Sequence, residues 1–581
     1  MDTLRFLYPF LRPHWRGYLS GLLLAPFATV AALSVPYLTG RAVAVLETPG
    51  QPTPGLAPIL IWMLLFSLVR GAALFGVRYL MIGASRHMEF DLRNAVFRHL
   101  QGLDQLYFKH ARTGDLMARI TADVEGTRTI AGPVVMYSVN TALLLTAALP
   151  LMLSISGVLT LSIMLPLSLL TVAVRKIGPR VHESVYKAQE TLSELSSTAQ
   201  ENFAGVRVIK AFAEEENETR RFGDVARRYL ERNLRVSRLA SWMYPIVGGV
   251  ADLALISLLF VGGVLILTTN LRLSDVVTFS GYQAQLLWPM ISIGWVVNQF
   301  HRGSTSVRRL KEVLSVEPKV KEPADPILPP GSAIEGHLSI RGLSFAYDGN
   351  PVLQDIRLDA PRGQTIAIVG RTGSGKSTLV SLIPRIFPPP DGTIFLDGVD
   401  VNRLPLGLLR RSIGFVPQES FLFSRTVSEN IAFGVEEPEL EEVYGVAQVT
   451  RFDKDIDQLP AGYEELVGER GVTLSGGQKQ RAAISRALLI RPRLLILDDA
   501  FSSVDTHTED EILENLKRAT EGLTTIIVAH RISSIRHAHR IYVLDEGKII
   551  EEGSHEDLVR LGGAYAEMHR LQLITEELER M

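Results

Sequence analysis

The sequence has no cysteine among its 581 residues, and this absence excludes disulfides and thiolate metal sites. It also lacks a surplus of either charge, because 60 lysines and arginines are balanced by 62 aspartates and glutamates, leaving a formal net charge of −2. Proteins that bind nucleic acid usually carry a basic face, so no nucleic-acid partner is expected. No small-residue cleavage site follows an early apolar run, and we therefore expect no removable signal peptide.

Long stretches of the first half of the chain have few charged residues. Hydrophobic residues make up 46% of the whole sequence, and their surplus lies in this half. Spanning a bilayer core takes about 20 apolar residues in a helix. The runs with at most two charged residues are 18–40, 57–85, 129–174, 239–271 and 276–300. The third run is too long for one span, and we expect it to break within 150–157. The pattern predicts six transmembrane helices rather than buried helices of a soluble core, which usually keep a polar face.

Lysine and arginine are unevenly distributed around these runs. Arg5, Arg12 and Arg16 precede the first run, and the segments 86–128 and 175–238 are rich in arginine. The excess of basic residues on the cytoplasmic side of membrane proteins therefore predicts that both termini and both segments lie in the cytoplasm. The protein would therefore be a multi-pass membrane protein.

The two arginine-rich segments are long enough to extend helices well beyond the bilayer. Gly114 and Gly205 are expected to interrupt those helices. Projecting charged helices need a partner surface, and the second half of the chain is the available one. Residues 3–15 are predicted to form a short amphipathic helix in the membrane interface.

Several polar residues fall within the predicted spans, where charge is costly and often marks a cavity or a subunit contact. For Arg78, snorkelling to the interface and a cavity position are equally good interpretations. For Arg70 and Asp252 we favour a cavity lining. The polar and aromatic residues of the last span line a substrate path or only pack helix on helix; they are Gln283, Gln285, Trp288 and Asn298.

A proline-rich stretch at 315–336 forbids a regular helix. Strand-like and helix-like pieces alternate after it, as in an α/β nucleotide-binding fold. We therefore predict a transmembrane domain at 1–315, a linker at 316–334 and a nucleotide-binding domain at 335–581.

The most specific motif is a glycine-rich loop that follows the apolar run 365–369. It has the pattern of a phosphate-binding loop, in which backbone N–H groups surround phosphate oxygens. We expect Lys376 to reach the β- and γ-phosphates of ATP and the Ser377 hydroxyl to ligate Mg²⁺. The members of the loop are Gly370, Arg371, Thr372, Gly373, Ser374, Gly375, Lys376, Ser377 and Thr378.

Other residues in this half are suited to the same nucleotide. Tyr347 is an aromatic upstream of the loop that could stack on adenine. Gln418 ends an apolar strand, and its amide could ligate Mg²⁺ or bind a water. Asp498 and Asp499 end another apolar strand, where the first could hold Mg²⁺ and the second could orient the attacking water. His530 ends a further strand and could touch the γ-phosphate.

The sequence LSGGQ at 474–478 is more specific than these single residues. Ser475, Gly476, Gly477 and Gln478 precede or begin a predicted helix, and the helix N-terminus favours an anion.

These motifs together resemble those of a half-transporter of the ATP-binding cassette (ABC) exporter family, and the resemblance covers nearly all of the chain. It implies that the loop at 370–378, LSGGQ and the strand ending at Asp498 are the Walker A, signature and Walker B motifs. Tyr347, Gln418 and His530 resemble the A-loop, Q-loop and H-loop residues, and 502–505 resembles the D-loop. The segments FKHARTGDL, GVRVIKAFAEE and VGERG resemble those that connect membrane domain and cassette.

In that family two cassettes meet head to tail, with ATP held between the phosphate loop of one and the signature of the other. Closure of the pair switches the spans from inward-facing to outward-facing. The resemblance thus implies ATP-driven export of a hydrophobic or amphipathic substrate: a drug, a lipid or a peptide.

The sequence departs from the family pattern at Asp499, where a glutamate usually serves as catalytic base. The shorter side chain predicts slow turnover in this chain's own site. The intact signature is then available to a different partner, so we predict a heterodimer resembling bacterial exporters of the TmrAB type. A homodimeric lipid flippase is the alternative. A soluble mechanical ATPase, an ATP-gated channel regulator and an importer fit the sequence less well.

Overall fold

A computed structural model of the protein describes residues 2–47, 55–468, 471–504, 506–519, 522–532 and 534–580. The chain divides into two compact units. The helical unit comprises Met1–Gln101 and Arg112–Val316, and the cassette unit comprises Gly102–Ala111 and Glu317–Met581. The predicted boundaries of domains and linker stay a prediction, and a short helical segment from the first half belongs to the second unit.

Long helices account for most of the chain before residue 315. They are α1 (Asp2–Leu11), α2 (Trp15–Glu47), α3 (Leu56–Gly102), α4 (Gln105–His110), α5 (Thr113–Ala118), α6 (Val124–Thr129), α7 (Val135–Ile155), α8 (Gly157–Ala204), α9 (Val206–Phe212), α10 (Glu215–Ser241), α11 (Met243–Thr268) and α12 (Leu273–Leu314). The π-helical turns Arg119–Asp123 and Ile130–Val134 join α5 to α6 and α6 to α7.

Among the described residues, four helical stretches are long and apolar enough to cross a membrane: Arg5–Glu47, Leu56–Gly102, Thr113–Ile155 and Gly248–Thr268. The remaining two predicted spans lie on α8 and α12, and the count of six stays a prediction. The break expected within 150–157 falls at Ser156, whose Oγ accepts from the Leu159 backbone N–H at 3.3 Å and caps α8.

Small residues let α2 and α12 pack closely. A Cβ placed on Gly40 would lie 1.7 Å from Thr278 Oγ1, and one on Gly281 would lie 2.6 Å from Pro36 Cβ. Close backbone approach is how helices associate in lipid, where burial of apolar surface gives little advantage. The buried Phe279 belongs to the core of this unit.

One predicted break lies elsewhere than expected. Gly205 does separate α8 from α9, but Gly114 lies within α5. The chain instead leaves the helix at Ala111 and Arg112, which both have extended backbone. Gly114 lies in the first turn of α5, and the cost of glycine applies mainly to the interior of a helix.

The cassette unit contains two sheets. Their strands are β1 (Leu338–Tyr347), β2 (Asn350–Ala360), β3 (Thr365–Val369), β4 (Ile394–Leu396), β5 (Val399–Asp400), β6 (Ile413–Val416), β7 (Leu494–Asp498), β8 (Thr524–Val528), β9 (Arg540–Asp545) and β10 (Lys548–Gly553). The helices are α13 (Lys376–Leu382), α14 (Leu406–Arg411), α15 (Val427–Ile431), α16 (Leu440–Val449), α17 (Asp453–Ile456), α18 (Gly476–Leu489), α19 (Thr506–Ala519), α20 (His555–Leu561) and α21 (Ala564–Arg580).

The four-stranded sheet has the order β2-β1-β4-β5, and the six-stranded sheet has the order β10-β9-β3-β8-β7-β6. In the larger sheet β9, β3, β8, β7 and β6 are parallel, and β10 is antiparallel to β9. The fully buried, apolar β7 and β8 are typical of a sheet covered on both faces. Parallel strands bring their carboxyl ends to one edge, which is where ligands bind in such sheets.

Candidate nucleotide-binding site

The phosphate loop connects β3 to α13 at that edge. Gly373 and Gly375 have φ of 86° and 104°, values that glycine adopts without strain. A larger residue at Gly375 would be strained by this φ, and its Cβ would lie 3.1 Å from the Val352 carbonyl oxygen. Ser374 Oγ is buried without a hydrogen-bond partner within the described ranges of the chain. An unpaired buried hydroxyl in a glycine-rich turn between a strand and a helix fits a phosphate group.

Lys376 begins α13 and turns its amine back to the loop. Its Nζ donates to the carbonyl oxygens of Gly370 at 2.8 Å and Arg371 at 2.9 Å. Burial lowers the pKa of Lys376, and the nearby carboxylates of Asp498 and Asp499 partly offset this effect. A buried ammonium that bonds only neutral carbonyls is well placed to pair with an anion.

Ser377 and Asp498 meet across the loop, where Ser377 Oγ donates to Asp498 Oδ1 at 3.1 Å. Burial raises the pKa of Asp498, and the negative charge of Asp499 adds to this increase. The hydrogen bond from Ser377 and the positive charge of Lys376 oppose the increase. A hydroxyl and a carboxylate oxygen in contact are ligands that Mg²⁺ accepts. The sequence-predicted metal ligands on the loop and on β7 are therefore adjacent.

Asp499 follows β7 and has a left-handed backbone, with φ of 52°. Gln418 Nε2 donates to its Oδ2 at 3.4 Å. His530, which follows β8, lines the same narrow cleft as Asp499. The structure thus brings together three residues that were predicted separately from the ends of β6, β7 and β8.

The signature residues occupy the start of α18. Ser475 Oγ accepts from the Gln478 backbone N–H at 3.3 Å, and Gln478 Oε1 accepts from the Ser475 backbone N–H at 2.8 Å, which forms a capping box. A Cβ on Gly477 would lie 2.8 Å from the Ser503 carbonyl oxygen, and Gly476 also contacts Ser503. In the part of the chain that is described, no hydrogen bond links these residues to the phosphate loop.

Tyr347 lies beside the phosphate loop, since its Oη donates to Thr378 Oγ1 at 3.4 Å. Lys109 of α4 places its Nζ 4.1 Å from the centroid of the Tyr347 ring, and His110 Nε2 lies 3.2 Å from Asp348 Oδ2. Sequence reasoning missed Lys109 and His110. Only their position at the end of a polar segment expected to meet the second half could have drawn attention to them.

Some predicted residues lie outside the described part of the chain. These are Asp505 of the segment resembling the D-loop, and Glu469 and Arg470 of VGERG.

The polar residues predicted within the spans have different environments. Arg70 Nη2 donates to Gln285 Oε1 at 3.2 Å, and among the described residues Gln283 Oε1 is buried without a hydrogen-bond partner. The residues with exposed side chains are Arg78, Asp252, Trp288 and Asn298. The Arg70–Gln285 bond joins α3 to α12. The cavity lining by Arg70 and Asp252, the two interpretations of Arg78, and the substrate path or helix packing of the last-span residues stay predictions.

Comparison with known proteins identifies the family of the chain. The family model of the ABC transporter transmembrane region matches residues 18–290, and the ABC transporter model matches residues 353–502. The probable multidrug resistance ABC transporter ATP-binding/permease protein YheI of Bacillus subtilis is 36% identical, over 99% of both chains. The multidrug resistance-like ATP-binding protein MdlA of Escherichia coli is 35% identical over 98% of this chain and 96% of its own.

A relative of another kind is the mitochondrial potassium channel ATP-binding subunit of Rattus norvegicus, 32% identical over 99% of this chain and 82% of its own. Among solved structures, a bacterial Atm1-family ABC exporter with ATP bound superposes with a TM-score of 0.79 at 27% identity, covering 96% of this chain and 99% of that one. The chain therefore belongs to the ABC transporter family, with a helical exporter-type transmembrane domain followed by a cassette whose ATPase activity is coupled to transport.

Proposed function

We propose that this protein is one half of a heterodimeric exporter and that it carries the slower of two ATP sites. The observation behind the proposal is Asp499 at the end of β7, within 3.4 Å of Gln418 and in one cleft with His530. The carboxylate would act as the catalytic base, but its side chain is one methylene shorter than the glutamate that the family pattern has there. A misplacement of about 1 Å can reduce a rate about a hundredfold.

The roles of the site residues follow from their contacts. Bound MgATP supplies the transferable phosphoryl group and the charge-neutralising cation. Lys376 and Ser374 would hold phosphate oxygens, and Ser377 and Asp498 would hold the cation. The Asp499 carboxylate accepts the proton of the attacking water while the Gln418 amide holds that carboxylate in place.

The signature of this chain completes the site of the partner. Ser475 and Gly477 are fixed by the capping box and by the contact with Ser503. The N-terminus of α18 favours an anion presented from another surface.

A second surface is also expected to contact a partner subunit. The short helix α9 and its flanks expose apolar side chains: Phe203 is 79%, Val208 60% and Phe212 75% exposed. Exposed aromatic residues on a short, polar-flanked helix are typical of an interaction site. We assign this surface to contact with the second half-transporter.

The substrate would be hydrophobic or amphipathic, exported across the cytoplasmic membrane of a bacterium with both termini and the cassette in the cytoplasm. Two of the relatives have names that refer to multidrug resistance. A drug-like, lipid or peptide cargo fits the apolar helices of the transmembrane domain.

The direct test is purification of this chain, tagged at its N-terminus, from its native membrane in mild detergent. We expect a second half-transporter of similar size in stoichiometric amount, carrying glutamate at the position of Asp499. Recovery of this chain alone as a homodimer with full ATP turnover would refute the heterodimer and leave the homodimeric flippase as the better hypothesis.

A further inference from the structure

A groove of about 780 Å³ opens on the helical unit where the start of α2 meets the middle of α3. The two helices approach closely there, because a Cβ on Gly17 would lie 2.9 Å from Ala84 Cβ. The helix α2 begins at Trp15, immediately after the basic N-terminal segment. The groove therefore lies at the level of the cytoplasmic headgroups.

The walls of the groove combine basic and aromatic side chains. The members that bear on its chemistry are His14, Arg16, Phe75, Arg78, Tyr79 and Arg86. Phe75 and Tyr79 are each 71% exposed, and their rings stack with centroids 5.9 Å apart. This pairing of exposed aromatic rings with arginines matches the boundary between acyl chains and headgroups.

Two basic members of the groove already have acidic partners within the protein. Arg86 Nη1 donates to Glu89 Oε2 at 2.8 Å and to Glu125 Oε2 at 3.2 Å, and His14 Nε2 lies 2.7 Å from Asp91 Oδ2.

Arg16 and Arg78 differ from these two, since neither has an ion-pair partner among the residues that the structure describes. Arg16 lies only near the Trp15 ring, at 6.0 Å from its centroid. The groove thus keeps two guanidinium groups that are free to pair with an external anion.

We propose that this groove binds an anionic phospholipid of the cytoplasmic leaflet. Arg16 and Arg78 contact the headgroup phosphate, which suits the donor geometry of guanidinium. Phe75 and Tyr79 pack against the acyl chains. The acyl chains cover apolar surface that a soluble phosphate ion would leave exposed to water. The charge of the two arginines selects an anionic lipid over a zwitterionic one.

The test is native mass spectrometry of the detergent-purified full-length chain. Phosphatidylglycerol, phosphatidylcholine and inorganic phosphate are added separately to the wild type and to Arg16→Gln/Arg78→Gln. We expect the wild type to retain phosphatidylglycerol in preference to phosphatidylcholine. The double variant should lose affinity for phosphatidylglycerol about 25-fold, or about fivefold for each arginine near the surface.

Two further variants separate charge from structure. Arg16→Lys/Arg78→Lys keeps the charge and should restore phosphatidylglycerol binding to within about fivefold of the wild type. Arg227→Gln/Arg235→Gln removes two exposed arginines from α10 and should leave binding unchanged.

Three results would overturn the proposal. The first is equal phosphatidylglycerol binding by the wild type and the glutamine variant, and the second is displacement of the lipid by inorganic phosphate. The third concerns a second copy of this chain on the groove. Because the sequence has no cysteine, Tyr79→Cys supplies a single thiol, and efficient disulfide-linked dimers in membranes would show that protein covers the site instead.

Discussion

The cassette and the transmembrane domain differ in how strictly geometry fixes the identity of a side chain. In the cassette, function depends on a few polar atoms at defined separations, such as Ser377 Oγ and Asp498 Oδ1 at 3.1 Å. In the transmembrane domain, most side chains are apolar, and a bond such as Arg70–Gln285 is an exception. Single substitutions should therefore change chemistry steeply in the cassette and change packing gradually among the spans.

The steepest effect is expected at Lys376. Lys376→Ala removes the only ammonium that contacts the phosphate loop in the described structure. Loss of charge-assisted bonds to phosphate should weaken ATP binding at this site by about a hundredfold or more. Titration with a fluorescent ATP analogue measures the affinity, and Lys548→Ala, at an exposed position of β10, is the control. If the Lys376 variant kept full affinity for ATP, the loop would not be part of the nucleotide-binding site.

A large effect of opposite sign is expected at Asp499. Asp499→Glu restores the longer carboxylate and should raise ATP turnover of the purified chain by up to about a hundredfold. Its left-handed backbone, with φ of 52°, suits aspartate better than glutamate. The same variant should therefore lose about 1 kcal/mol of stability.

Asp510→Glu, on the exposed face of α19, provides the matched control for Asp499→Glu. It makes the same chemical change away from the cleft and should alter neither turnover nor the unfolding temperature. If both variants left turnover unchanged, the length of the Asp499 side chain would not limit the rate.

A substitution in the exposed helix α9 tests whether a single residue of the transmembrane domain can also change ATPase activity strongly. Phe212→Ser should lower the ATPase activity of the assembled exporter about tenfold, because buried aromatic residues dominate interface energies. ATP affinity should stay unchanged. Leu230→Ser, at a residue of α10 that is 56% exposed, is the control. Equal activity in both variants would show that α9 is not a subunit contact.

The sequence predicted the cassette more completely than the transmembrane domain. The end of β7 at Asp498 and the start of α13 at Lys376 follow from local pattern, since an apolar run, glycines and a helix start are adjacent in the chain. The contact of Lys109 with Tyr347 was not predictable, because no local signal specifies how a helix far away in the chain docks.

Hydropathy located the helices of the transmembrane domain but not their rotation. Arg70 and Gln285 were both noticed as polar residues in spans, yet their hydrogen bond joins positions 215 residues apart. Which faces of two helices meet depends on packing among all of their neighbours. The position of Gly114 within α5 was missed for a similar reason, since a glycine in a first helical turn carries little penalty.

Two matched substitutions in α12, at Gln285 and at Gln283, measure how strongly the stability of the transmembrane domain depends on single polar side chains. Gln285→Leu leaves the Arg70 guanidinium without its partner and should cost about 1–3 kcal/mol of stability. Gln283→Leu removes an amide whose Oε1 is buried and unpaired, and it should be neutral or stabilising. Thermal unfolding in detergent compares the two, and equal losses would show that the Arg70–Gln285 bond contributes nothing specific.

The smallest effect concerns the cassette without nucleotide. Burial raises the pKa of Asp498 above its ordinary value, although the Ser377 hydrogen bond opposes this. The folded state then binds the proton more tightly than the unfolded state does, so stability falls as pH rises from the ordinary pKa of aspartate to the raised one. Above the raised pKa the whole penalty is present.

Asp498→Asn removes that penalty and keeps an oxygen that accepts from Ser377 Oγ. Without nucleotide and Mg²⁺, the variant should therefore unfold at a slightly higher temperature than the wild type at neutral pH, and the difference should vanish in acid. With MgATP the order should reverse, because only the carboxylate neutralises the cation. If the variant were less stable at every pH without nucleotide, the Asp498 charge would contribute to the fold itself. The proposed difference, in which cassette residues are suited to ligand binding and span residues to packing, would then not hold for Asp498.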